Sequence, residues 1–156
     1  MHLHRYEKIW LMFGMAMLVL FLAVLGAGTF ALGMEPPDGH HIPVDPEKVA
    51  ETPPFDNPGL HHVGGNIYNA YMIAHVFGYK PQNMEIPLGA TVHFQVTSVD
   101  VVHGFQIVGT NVNLMAIPGA VSHYTHTFDE PGEYLLLCNE YCGAGHEYMA
   151  TRILVK

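Results

Sequence analysis

A chain of 156 residues has room for one compact domain and an appendage, and none for a second catalytic domain. Residues 35–156 hold thirteen acidic against four basic side chains, a net charge of −9, which argues against nucleic acid as a partner and suits either a cationic protein or simple solubility. The two cysteines, Cys138 and Cys142, are too few for a disulfide framework and leave one small-loop bridge or a metal site.

Residues 1–8 form a short tail with Arg5 and Lys8 at its end, and Ile9–Met34 is a run of 26 residues without a charge. At about 1.5 Å per residue that run spans roughly 39 Å as a helix, against a hydrocarbon core of roughly 30 Å. The small residues Gly26, Ala27 and Gly28 admit a cleaved signal peptide, but a signal core is only about 7–15 residues long, so the length favours a retained membrane anchor in contact with lipid. Basic residues before the run, acidic Glu35 and Asp38 after it, and Trp10 at the first boundary place the N-terminus on the cytoplasmic side of the cell membrane and the remainder on the outer face.

Residues 35–59 contain seven of the eleven prolines and few large apolar side chains, which reads as a semi-extended linker. From residue 60 the hydropathy period becomes two. Val92, Phe94 and Val96 alternate with polar neighbours, as do Ser122, Tyr124, His126 and Phe128. Further strands are expected at Tyr68–Phe77, Phe105–Val108, Glu133–Leu137 and Thr151–Val155, separated by turn signals at Pro87-Leu88-Gly89, Pro118-Gly119 and Pro131-Gly132. About seven short strands over residues 60–156 predict a mainly β sandwich or Greek-key barrel.

The chemistry concentrates in Cys138-Asn-Glu-Tyr-Cys142-Gly-Ala-Gly-His146-Glu-Tyr-Met149, which sets two thiols, an imidazole and a thioether in twelve residues. All four bind soft or borderline metals, and Gly143 and Gly145 let the chain turn the later ones back toward Cys138. A further imidazole is expected from His103 in Asp100-Val-Val-His103-Gly, with Asp100 either orienting that strand or forming a turn. Zinc on Cys138, Cys142, His146 and His103 would be closed and structural, but it leaves Met149 idle, and a Cys138–Cys142 disulfide leaves His146 and Met149 idle. A single blue copper takes one thiolate and would leave the other over, whereas two thiolates can bridge two copper ions, each with one imidazole. The other histidines, His2 and His4 in the tail, His40, His41, His61 and His62 around the linker and His75, His93, His123 and His126 in strands, default to solvated or core positions.

The pattern Cys-x3-Cys-x3-His-x2-Met with an upstream Asp-Val-x-His resembles the binuclear copper A site of cytochrome c oxidase subunit II. Phe77-Gly-Tyr-Lys-Pro81, Ile86-Pro-Leu-Gly89, the stretch from Val102 to Asn111, Pro131-Gly-Glu-Tyr134 and a single anchor preceded by Tyr6-Glu7-Lys8 resemble the ba3-type haem-copper oxidases in particular. The resemblance implies a cupredoxin fold, two copper ions on His103, Cys138, Cys142, His146 and Met149 with the Glu140 backbone carbonyl, and no oxygen-reducing site on this chain. It implies a haem-copper oxidase subunit I as partner and a cytochrome c or small copper protein as electron donor. In the mitochondrial-like branch the glutamate at the position of Glu140 also reaches a magnesium ion. The same likeness makes Glu7 the carboxylate at the mouth of a proton channel and Phe77 and Tyr79 an aromatic docking surface for the donor. Competing readings are a copper A subunit of a nitric-oxide reductase, a membrane-tethered copper-delivery protein and a structural ectodomain held by zinc or a disulfide.

Overall fold

The computed structural model of the chain describes residues 4–34 and 42–156; His2, His40, His41 and the first part of the expected linker fall outside them. The chain divides into two compact units, Met1–Pro36 and Pro37–Lys156.

The first unit contains one helix, α1 (Arg5–Leu32), 28 residues with no buried side chain and long and apolar enough to cross a membrane. His4 caps its start: the Tyr6 amide donates to His4 Nδ1 at 3.4 Å, and the His4 amide donates to the Glu7 carboxylate at 2.7 Å. Gly33 ends it at φ 60°, a left-handed cap that glycine adopts without cost from a Cβ.

The second unit is built from β1 (Ile42–Pro43), β2 (Gly59–Gly64), β3 (Ile67–His75), β4 (Gly78–Lys80), β5 (Asn83–Ile86), β6 (Thr91–Ser98), β7 (His103–Ile107), β8 (Asn113–Ala116), β9 (Ala120–Thr127), β10 (Gly132–Leu137) and β11 (Ala150–Val155). One sheet runs β1-β9-β6-β3-β2 with β4 added on β3, and the other runs β5-β11-β10-β7-β8. The pairs β3–β6 and β5–β11 are parallel and the remaining pairs antiparallel. Two such sheets stacked with crossovers between them make a cupredoxin-like Greek-key sandwich, as the alternation of β6 anticipates: Val92, Phe94 and Val96 are completely buried between the layers. Phe94 meets Phe105 at 5.7 Å and Phe128 at 6.2 Å between ring centroids, so the two sheets are keyed together by aromatic contacts.

Two expectations need amendment. The described part of the proline-rich stretch is not an extended spacer: Pro46–Glu51 is a 3-10 helix capped by Asp45, and Val49 and Phe55 are buried against Ile73 and Val121 on the back of the first sheet. Two well-placed apolar side chains anchor a segment whose prolines alone suggest openness, since Pro46 starts a helix without losing a hydrogen bond. That strap also buries Val121, which the alternation of β9 places on the solvent side. The strand expected over Tyr68–Phe77 stops at His75, leaving Val76 and Phe77 in an exposed connection.

Candidate metal centre

The loop that carries Cys138, Cys142, His146 and Met149 joins β10 to β11 in the second sheet, beside the start of β7 at His103. Cys138 follows β10, Met149 precedes β11, and His103 opens β7, which pairs with β10. The pairing of β10 with β11 closes the loop, with the Cys138 amide donating to the Met149 carbonyl at 3.1 Å. A short 3-10 turn, His146–Tyr148, and Gly143 at φ +127° fold the loop back on itself.

Two glycines allow this close approach. A Cβ on Gly104 would overlap Asn139 Oδ1 and the Asn139 amide and stand 2.9 Å from the Glu140 amide, so β7 can meet the ligand loop only with glycine there. A Cβ on Gly145 would lie 2.5 Å from the Phe77 ring, which covers this side of the loop.

The candidate ligand atoms converge. Those of His103, Cys138 and Cys142 lie within 4.8 Å of one another, and all three residues are buried. Cys138 and Cys142 are free thiols with sulfurs 3.8 Å apart, and Cys142 Sγ is 3.6 Å from His146 Nδ1 and 3.7 Å from Met149 Sδ. The Cys138 thiol donates to the Glu140 carbonyl at 3.0 Å, which brings that carbonyl to the site while the Glu140 side chain is exposed. Burial pushes the Cys142 thiol up to about 11, and its hydrogen bond with Cys138 and the charge there add to the rise, so Cys142 holds a proton that an incoming metal must displace.

His103 lacks a partner at one ring nitrogen. Its Nε2 lies 2.7 Å from Asp100 Oδ1, and its Nδ1 is buried without any hydrogen-bond partner. Burial raises the Asp100 carboxyl, but hydrogen bonds from His103 and from the amides of Val76 and Val101 outweigh it and hold the group below the ordinary aspartate value. An ionised acceptor keeps the imidazole proton on Nε2 and leaves the lone pair on the buried, unpartnered Nδ1. An orphaned buried nitrogen is costly without a partner, and a metal ion is the partner the surrounding sulfurs suit.

The family model described as cytochrome C oxidase subunit II, periplasmic domain, matches residues 79–156. The chain is 43% identical over 155 residues to cytochrome c oxidase subunit 2 of Thermus thermophilus, covering 97% of this chain and 92% of that protein. The chain belongs to the cytochrome c oxidase subunit II family. A solved haem-copper terminal oxidase dimer contains a chain that superposes with a TM-score of 0.80 at 31% identity, covering 97% of this chain and 100% of that one. The periplasmic domain of subunit II of cytochrome oxidase from Bradyrhizobium japonicum shares the fold, with a TM-score of 0.53 at 21% identity over 56% of this chain and 83% of its own.

As a subunit II, the chain has its remaining expected site residues in varied places. Glu7 closes the helix cap at the start of α1. Phe77 is 41% exposed beside the ligand loop, where a docking protein could reach it. Tyr79 is 3% exposed and offers no surface to a donor. Its ring packs edge-on against Phe105, and its hydroxyl donates to the Gly104 carbonyl. Burial above all, and then the neighbouring Cys138 and Cys142, raise the phenol above its ordinary value and keep it protonated as a donor. Sequence reasoning missed this inward direction because β4 has only three residues, too few for an alternation to declare a face.

Proposed function

We propose that this chain is the electron-entry subunit of a membrane-bound respiratory terminal oxidase. His103, Cys138, Cys142, His146 and Met149, with the Glu140 carbonyl, would hold two copper ions. When bound, the copper pair supplies a one-electron carrier between a reduced cytochrome c or small copper protein and the haem of a subunit I, where oxygen is reduced to water.

The observation that carries this reading is the unpartnered Nδ1 of buried His103, a residue clustered with two free thiols. Zinc would be satisfied by His103, His146 and the two thiols, and would give no reason for Met149 Sδ to lie 3.7 Å from Cys142 Sγ at 2% exposure. The two cysteines hold their sulfurs side by side for sharing between metals. Asp100 orients the His103 ring through Nε2. Phe77, lying against Gly143 and Gly145, limits water at the loop and leaves a partly exposed ring on the side a donor would approach. The helix α1 serves as a single anchor, with the sandwich on the outer face, and the acidity of residues 35–156 favours a cationic donor.

The test is copper reconstitution of the full chain in detergent, followed by metal analysis and electron paramagnetic resonance. Two coppers per chain with hyperfine structure from one electron on two nuclei are expected. One copper with a blue-type spectrum, or preferential zinc binding without colour, overturns the proposal.

A further inference from the structure

Tyr79 is not among the candidate ligands, yet its hydroxyl is buried beside them. It donates to the Gly104 carbonyl at 2.5 Å, at the short end for an O–H···O bond. The amide of the same glycine donates to Cys138 Sγ at 3.2 Å. The peptides on either side of the Gly104 Cα are therefore held from opposite ends, one by a phenol and one against a sulfur. A glycine lacks the Cβ that limits its neighbours' rotation, so an outside anchor matters more at this position than elsewhere on β7. The phenol itself is fixed: its ring meets Phe105 at 5.7 Å and 86°, and Tyr79 pairs with Ala74 of β3.

We propose that Tyr79 is a positioning residue that sets the reduction potential of the bound copper pair by fixing the Gly104 N–H against the Cys138 sulfur. The inference rests on the copper reading above. Hydrogen bonding around a cysteine sulfur tunes the potential of a copper–thiolate site. A donor draws electron density from the sulfur and so favours the electron-rich reduced state. Loosening the Gly104 amide favours the oxidised state.

The experiment compares Tyr79→Phe with the parent as full-length, copper-loaded protein. Phenylalanine keeps the ring and its contact with Phe105 and removes only the hydroxyl. Copper content is expected to stay at the parental value. At a fixed solution potential, the ratio of reduced to oxidised centre is expected to fall at least threefold, with a displaced sulfur-to-copper absorption band. Site-specific 3-fluorotyrosine at position 79 keeps every contact and makes the hydroxyl a stronger donor, so the ratio is expected to move the other way. Parental ratios and bands in both proteins overturn the inference, and the fluorotyrosine protein decides it alone where Tyr79→Phe does not fold.

A parent that binds no copper pair overturns the electron-entry reading instead. The positioning role is then read in the metal-free chain from amide hydrogen exchange at Gly104. Exchange several times faster in Tyr79→Phe supports the role, and unchanged exchange overturns it.

Discussion

Replacing Gly104 by alanine tests whether the approach of β7 to the ligand loop is as close as the structure has it. The added methyl would overlap Asn139 Oδ1 and the Asn139 amide and sit 2.9 Å from the Glu140 amide. A side chain such as Asn139 can swing away, but two backbone nitrogens move only with the loop that starts at Cys138. Inserting one carbon into a packed site costs typically about 1–3 kcal/mol, and an obstacle made of backbone belongs at the upper end. For a unit spanning Pro37–Lys156, a loss of about 2–3 kcal/mol lowers Tm by roughly 8–15 °C. Thermal unfolding of the full chain in detergent, followed by circular dichroism, measures it. Gly64→Ala is the control, because a Cβ there meets nothing within 4 Å, and its Tm is expected within about 3 °C of the parent. Copper loading of Gly104→Ala should also fall, since relieving the overlap drags Cys138 and the Glu140 carbonyl from their places. A Gly104→Ala protein with parental Tm and full copper content refutes the reasoning.

Asp100→Asn keeps the shape beside His103 but removes the charge that holds the proton on Nε2, and metal affinity is expected to fall about 10- to 100-fold in competition titrations with a copper chelator. Glu7→Gln preserves the side-chain acceptor of the helix cap, so helix content and copper content should match the parent; in an assembled oxidase, slowed turnover would show that the ionisable group itself is needed for proton entry. Burial against Phe128 holds the His126 imidazole below its ordinary value. The unfolded chain therefore takes up a proton, from about pH 6.5 downward, that the folded chain resists, and stability is lost as pH falls through that window. In His126→Gln the drop in Tm between pH 7.5 and 5.5 should be smaller than in the parent, and an equal drop removes His126 from the account.

Much of the fold follows from period-two patterning where strands are long. The eight residues of β6 declare their buried face because Val92, Phe94 and Val96 alternate without interruption. Shorter strands do not: β8 has four residues after a turn, β4 has three, and β2 runs from Gly59 to Gly64 through two adjacent histidines. The strap over the back of the first sheet was hidden for another reason. Burial of Val49 and Phe55 is decided by a surface formed by Ile73 and Val121, residues far along the chain, and proline content near the strap says nothing of that surface. At the site, the residue types and spacing expose the candidate ligands because soft-metal donors are few. Spacing does not show that Asp100 ties His103 to the Val76 amide, that Gly104 is required by a neighbouring backbone, or that Tyr79 points inward. Each of those facts depends on what a different strand brings alongside.

The loop that carries both cysteines is bounded downstream by β11, and β11 is paired in parallel with β5, Arg152 beside Asn83 and Val155 beside Ile86. During synthesis Cys138 and Cys142 therefore emerge before the strand that locks their loop has been made. Until β11 docks, the β10–β11 pairing that closes the loop is missing, and the two thiols, four residues apart, lack the constraint it imposes. Topology therefore gives the loop an order of assembly: its two thiols are made first, and the pairing that holds them side by side is completed only once β11 has been added.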